Sequence, residues 1–341
     1  MWHLFSKDLG IDLGTVNSIV YVKGEGIVLN EPTTIAINTK TGEIAAIGSE
    51  AKKMSGKTPP SIVIKKPLIA GVVSDFEVAE SFFHYFIESV HKNSFFKQFA
   101  RPKAVIGVPS NLNEVESEAL KDAALSAGIR DAFLVPETIA AALGSGVDVM
   151  ESKGTMVIDI GGGTTDISVI SLGGIVVGKT IPIAGETFDN DIIQYLRQEY
   201  NLLISSRAAE DLKIKLGTVL DNASNDSEVM RVRGRNLVSG LPQEIIVSKA
   251  DIKNAILPSV KKIIQNIKLV VENTPPEILS DLLSSPVIFS GGGSLIEGMA
   301  ELISKSTNLP VSVIEDPLTA VARGTGVIVE KWHFYKKNLL K

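Results

Sequence analysis

Two stretches of this chain carry the same unusual pattern. Leu9-Gly10-Ile11-Asp12-Leu13-Gly14-Thr15 leads into Ser18-Ile19-Val20-Tyr21-Val22, and Met156-Val157-Ile158-Asp159-Ile160-Gly161-Gly162-Gly163-Thr164-Thr165 leads into Asp166-Ile167-Ser168-Val169-Ile170. Each reads as a buried strand, a glycine-bearing turn and a returning strand. The two aspartates are separated by 147 positions (12 to 159). That period is far too long for a solenoid and suits two related domains, each opening on the same hairpin. The length agrees, because 341 residues exceed what one hydrophobic core usually fills.

Between the hairpins, strands alternate with helices. In 77–90, Val78, Phe82, Phe86 and Val90 recur every four residues and make one apolar face. After the strand 105–109, Asn113 with Glu116 three residues on predicts a capped helix running to about Ala127, where Gly128 stops it. The stretches 181–199 and 251–272 also read as mainly helical, and Pro59-Pro60 and Pro275-Pro276 mark breaks or turns. With 44% hydrophobic and 21% charged residues, this is a globular α/β pattern.

The glycine turns point to phosphate. A polyphosphate needs many donors at short range, and backbone N–H groups supply them where the chain turns tightly without a Cβ in the way. Gly14, Thr15, Val16 and Asn17 offer this in one half, and Gly161, Gly162, Gly163, Thr164 and Thr165 in the other. Asp12 and Asp159 repel phosphate, but they can hold Mg²⁺ through water, since Mg²⁺ keeps most of its hydration shell. A third run, Gly291-Gly292-Gly293-Ser294-Leu295, follows a strand and lets backbone approach something flat, such as a purine. Neither the lysine-bearing P-loop nor a G-x-G-x-x-G after a strand is present, so a P-loop ATPase and a Rossmann dehydrogenase are unsupported. The net charge of −5 argues against nucleic acid as the main ligand. With no cysteine there is no disulfide or thiolate metal site. The four histidines lack metal-ligand spacing apart from His84 and His91, seven apart on a helix, and read as ordinary helix residues.

These residues resemble the superfamily of actins, heat-shock chaperones and sugar kinases, and within it the MreB family of bacterial actins. The resemblance rests on Ile11–Asn17, Gly26–Pro32, Asp159–Asp166, Val232–Leu237, Ser290–Leu295 and Glu315–Gly324, and covers nearly the whole chain. It implies an actin-like ATPase fold of two related, ribonuclease H-like α/β domains, each with a small subdomain inserted, closing over ATP. By the family pattern, 1–32 with 66–145 and 318–341 form the first large subdomain and 33–65 its insertion. Residues 146–180 with 243–317 form the second, and 181–242 its insertion. Glu210, Asp211, Leu212 and Lys213, with 291–295, take adenine and ribose; Glu210 and Lys213, three apart, share a helix face. Glu137 matches the acid that aims the attacking water, with Thr165 as a second contact. Where the family commonly has Glu-Glu-Pro, this chain reads Pro136-Glu137-Thr138, and the displaced proline predicts hydrolysis slower than the family norm.

The resemblance also implies slow ATP hydrolysis to ADP, head-to-tail filaments paired as antiparallel protofilaments, a cytoplasmic place on the inner face of the cell membrane, and membrane-protein partners in the cell-shape machinery. Phe95 and Phe96, flanked by Lys92 and Lys97, suit insertion among lipid headgroups. Trp2, Leu4 and Phe5 offer a second apolar contact, and the basic, aromatic run 331–341 a third. No apolar run approaches the ~20 residues of a membrane span, and the first residues lack a signal peptide's core, so the reading is a soluble or peripheral protein. The other readings are a heat-shock-type nucleotide domain, a sugar or acetate kinase, and a filament-forming paralogue with little ATPase activity.

Overall fold

A computed structural model describes residues 6–92, 100–220 and 228–338. The first lobe opens with β1 (Leu9–Leu13), β2 (Asn17–Val22) and β3 (Gly26–Pro32). A small excursion follows: β4 (Ile35–Asn38), β5 (Ile44–Ile47), α1 (Ser49–Met54) and β6 (Ile62–Lys65). The chain then makes a short ribbon, β7 (Leu68–Ile69) and β8 (Val72–Val73), and returns through α2 (Phe76–His91), β9 (Lys103–Val108), α3 (Glu114–Ser126), β10 (Asp131–Pro136) and α4 (Glu137–Gly144). The second lobe repeats the opening with β11 (Thr155–Ile160), β12 (Thr165–Ser171) and β13 (Gly174–Ile181). Its excursion comprises α5 (Gly185–Tyr200), β14 (Leu202–Leu203), α6 (Ser206–Leu216), β15 (Val229–Asn236) and β16 (Pro242–Ser248). It closes with α7 (Lys249–Glu272), α8 (Pro276–Ser284), β17 (Val287–Ser290), α9 (Met299–Thr307) and β18 (Val311–Val313). The chain finally crosses back to the first lobe as α10 (Ala320–Glu330) and α11 (Trp332–Asn338).

Two five-stranded sheets carry the lobes, in the orders β10-β9-β1-β2-β3 and β13-β12-β11-β17-β18. The repeated hairpin occupies the same place in both. β1 pairs antiparallel with β2 and parallel with β9, as β11 does with β12 and β17. β1 and β11 are the central strands, which is why both read as nearly unbroken apolar runs.

The local signals act as expected. Asp75 caps α2 by accepting from the Val78 N–H, and Val78, Phe82 and Phe86 lie buried along its inner face. Asn113 and Glu116 form a reciprocal capping box on α3, and Gly128 follows at φ +106°. One expectation fails at its edge. The helical reading of 181–199 begins too early, because Ile181 still pairs with Thr165 and Pro182, having no N–H, ends that ladder before α5 starts at Gly185.

Each sheet has its own core against its outer helices, α2 and α3 in one lobe, α5 and α7 in the other. A third core joins the lobes: Val105 and Val135 from one sheet, Val157, Ile170 and Ile288 from the other, with Ala140–Leu143 and Ala320, Val321, Ile328 and Val329 between them. Here α4 and α10 touch backbone to backbone. A Cβ on Gly144 would overlap the Ala320 carbonyl, and one on Gly324 the Ala140 carbonyl.

Candidate functional site

The two hairpin turns face each other across the gap between the lobes. Thr33 Oγ1 donates to Gly14 O at 2.6 Å and the Thr33 N–H donates to Val16 O at 2.8 Å, which fixes the first turn. In the second, the Gly161 N–H donates to Thr164 O at 2.9 Å, while the Gly185 and Glu186 N–H groups donate back to Gly161 O and Gly162 O. Side chains at 162 and 163 would collide with Val16 and Thr15. These glycines have ordinary φ, so the close approach of the opposite turn requires them, not a left-handed backbone.

Around the turns lies a cavity of about 1160 Å³, large enough for a nucleotide. Gly14–Asn17, Gly161–Thr164, Gly291–Gly293, Leu295, Glu210 and Lys213 line it, with Asp12, Glu137 and Asp159 on its floor. Thr165 is not on the wall. It is fully buried and its hydroxyl donates to Ile183 O at 2.6 Å, so as the first residue of β12 it ties the turn to the segment after β13. Asp211 and Leu212 are also off the wall. Helical geometry turns Asp211 to solvent and Leu212 into the core, leaving Glu210 and Lys213 on the cleft face. Ser294 donates to Gly291 O at 2.7 Å and shapes the glycine turn from behind. Gly291 itself, at φ +77°, lies against Asp159 and Ile160, where no side chain fits.

The floor is electrostatically strained. Burial first, and then the Asp159 charge, push the Asp12 carboxyl up to about 8. Burial and Asp166 push Asp159 up to about 7. Glu137 rises well above the usual range through burial and through Asp166, Asp12 and Asp159 together. Asp159 Oδ1 is buried and takes no hydrogen bond among the described residues. Carboxylates packed this way lack a positive charge, which a hydrated divalent cation held by Asp12 and Asp159 would supply. Among the described residues no group of three or more His, Asp or Glu is arranged to hold a metal ion directly.

The sequence reading missed the pairs that span the cleft mouth. Lys52 on α1 meets Glu210 on α6 at 3.0 Å, and Lys66 pairs with Glu186 at the start of α5. Lys213 is held from behind by Asp189 at 2.8 Å and Gly185 O at 2.9 Å. Exposed lysines in 52–66 gave no local sign of partners more than a hundred positions away. His91 also does more than fill a helix. It is buried, accepts the Lys7 N–H at Nε2 (3.2 Å), and lies 2.9 Å from Ile87 O through Nδ1, while burial lowers its pKa.

Trp2, Leu4, Phe5, Phe95 and Phe96 lie outside the described residues. In the basic C-terminal run, Trp332 packs edge-on against Phe133 at 4.7 Å and Tyr335 is buried, so these two cover the core, while Phe334, Lys336 and Lys337 are exposed. No described helix is long and apolar enough to cross a membrane.

Two like five-stranded sheets, a repeated glycine hairpin in each, a small excursion on each lobe and a cleft between them define the actin-like fold. The family model described as MreB/Mbl protein matches residues 6–337. The chain belongs to that family. It is 44% identical to the cell shape-determining protein Mbl of Bacillus subtilis over 99% of this chain and 100% of that one. The crystal structure of MreB5 of Spiroplasma citri bound to ADP superposes with a TM-score of 0.90 at 36% identity, covering 97% of this chain and 98% of that one. The same protein bound to AMPPNP gives 0.90 at 35% identity, covering 98% of each.

Proposed function

We propose that this chain binds ATP with Mg²⁺ in the interlobe cleft, hydrolyses it slowly to ADP, and polymerises head to tail into paired filaments on the inner face of the cell membrane that maintain cell shape. The observation that carries the reading is the apposition of the two glycine turns above the Asp12–Asp159 pair. Relatives solved with ADP and with AMPPNP support a nucleotide as the cleft's ligand.

In this reading the backbone N–H groups of 14–17 and 162–164 take the phosphates from both lobes, and Gly161, whose N–H closes the turn on Thr164 O, supports them. Glu210 and Lys213 take the ribose side, and 291–293 with Leu295 the purine. Mg²⁺, held by Asp12 and Asp159 through water, supplies charge neutralisation at the phosphates. Glu137, at the first position of α4 and on the cavity floor, accepts a hydrogen bond from the attacking water and aims it. Asp211, Leu212, Ser294 and Thr165 act as supports for these contacts. The subdomain division is 1–32, 66–145 and 318–341 with insertion 33–65, and 146–180 and 243–317 with insertion 181–242. The β5-β4-β6 sheet falls inside the first insertion, whereas in the β14-β15-β16 sheet β16 (Pro242–Ser248) runs past residue 242, which supports ending the second insertion nearer 248. Head-to-tail contacts that do not close on themselves generate open filaments.

Calorimetric titration of the full chain with ATP in magnesium buffer tests the site, and light scattering with phosphate release tests assembly and turnover. Saturable uptake, scattering above a critical concentration and phosphate release lost in Glu137→Ala are expected. No uptake by folded protein overturns the reading.

A further inference from the structure

Glu137 begins α4 without a side-chain cap, because the preceding residue is Pro136. Something else must fix the first turn of that helix. The next residue, Thr138, is fully buried, and its hydroxyl leaves the first lobe: it donates to Ser168 Oγ on β12 at 2.9 Å. Ser110, in the loop after β9, completes a triangle, with its Oγ 3.3 Å from Thr138 Oγ1 and 3.5 Å from Ser168 Oγ. The Ser110 N–H donates to Asp166 Oδ1 at 3.0 Å, and Thr180 Oγ1 donates to the same oxygen at 2.6 Å. Three hydroxyls and one carboxylate therefore stitch the start of α4 to the strand that carries the second phosphate turn.

We propose that Thr138, through Ser168 and Ser110, is a positioning residue for the hydrolysis assigned above, holding Glu137 in register with the phosphate turn of the opposite lobe. The inference rests on that assignment and adds the element that transmits position. Packing alone does not call for this arrangement. Valine fills the space of threonine, whereas a buried hydroxyl persists only where it is paired. The geometry has a direction as well. β12 begins at Thr165, directly after the 161–164 turn, so a nucleotide that draws this turn toward the first lobe loads the Thr138–Ser168 bond and leaves Glu137 facing the phosphates. With the turn drawn away, that bond lengthens and the first turn of α4 loses this hydrogen-bonded tie to the second lobe. Water attack is sensitive to such register, since displacement of about 1 Å can cost about a hundredfold in rate.

The experiment uses the full chain and four variants: Thr138→Val, which removes the hydroxyl at constant volume, Thr138→Ser, which keeps it, Ser168→Ala, and the double variant Thr138→Val with Ser168→Ala. Steady-state phosphate release at varied ATP gives kcat and KM, and calorimetry gives the affinity for Mg²⁺-ATP. The expected result is a fall in kcat of about ten- to a hundredfold in Thr138→Val and in Ser168→Ala. KM and affinity stay within about twofold, Thr138→Ser retains the parent kcat, and the double variant is no worse than either single one. Unchanged kcat in Thr138→Val overturns the proposal, and so does equal damage in Thr138→Ser, which would make the lost methyl responsible. Should Thr138→Val fail to fold, Ser168→Ala decides alone by the same split. A parent protein that takes up ATP but releases no phosphate sinks the hydrolysis assignment and this inference together, a result distinct from normal turnover that ignores the hydroxyls.

Discussion

Replacing Gly324 by Ala tests the α4–α10 joint of the first lobe, on which the core shared with the second lobe is built. Its Cβ would overlap the Ala140 carbonyl on α4, a main-chain atom that no rotamer change can move. The two helices must separate or tilt. Overpacking of this kind costs about 1–3 kcal/mol. Alanine returns about 1 kcal/mol over glycine in a helix interior, so the net loss is about 0–2 kcal/mol, and the overlap with main-chain atoms puts Gly324→Ala at the upper end. Gly144→Ala meets the Ala320 carbonyl from the other side and costs a similar amount. Because one separation relieves both collisions, the double variant should be less destabilised than the sum, by at least about 0.5 kcal/mol. Urea unfolding followed by the fluorescence of Trp332, which packs on Phe133 in the first lobe, and by circular dichroism measures all three. A Gly324→Ala protein as stable as the parent, or more so, would mean that helix propensity wins and that the helices are not in backbone contact. Strict additivity would refute a shared joint.

Three further outcomes follow, two from the site and one from the sequence. Asp12 and Asp159 are pushed up to about 8 and about 7, so the empty cleft holds protons near pH 6 that a cation must displace. Affinity for Mg²⁺-ATP should rise from pH 6 to 8.5 and level off. The nucleotide-free protein should lose stability over the same range, as carboxyls with raised pKa ionise without a partner. Asp12→Asn flattens both curves in calorimetry and thermal melts. Removing the cleft-mouth pairs with Lys52→Ala and Lys66→Ala should speed release of a fluorescent ATP analogue by about two- to tenfold, in line with ~0–1 kcal/mol for each partly exposed pair, and high salt should narrow the difference from the parent. Phe95→Ser with Phe96→Ser should abolish liposome pelleting and spare ATP binding; unchanged pelleting rejects these two residues as the anchor.

What the sequence disclosed is what is local. The strand–glycine–strand hairpins were legible because a buried apolar run and a tight turn lie within ten residues, and the two-domain plan and the paired aspartates follow from them. Asn113 and Gly128 mark the ends of α3 for the same reason. The α4–α10 joint was not legible, because small residues in 140–144 and 320–326 announce no partner, and Gly144 and Gly324 are 180 positions apart (144 to 324). Proximity in a motif also overstated some contacts. Asp211 and Leu212 sit between Glu210 and Lys213 in the chain but on other faces of the helix, and Thr165 continues a phosphate turn yet spends its hydroxyl on Ile183. Helix α7 runs unbroken through Pro258, as the helical reading of 251–272 expects, although proline locally disfavours a helix interior.

The path of the chain has a practical consequence. Both outer stretches of the described polypeptide are moored to one body: Lys7 to His91 and Ser6 to Arg101 at one end, Trp332 to Phe133 at the other. The other body hangs from two tethers, 145–154 and 314–319. A fluorophore attached near either outer stretch therefore travels with its host and is blind to breathing of the gap. One dye on the 237–241 turn and another on the 39–42 turn sit on opposite jaws, and the distance between them reads the gap directly.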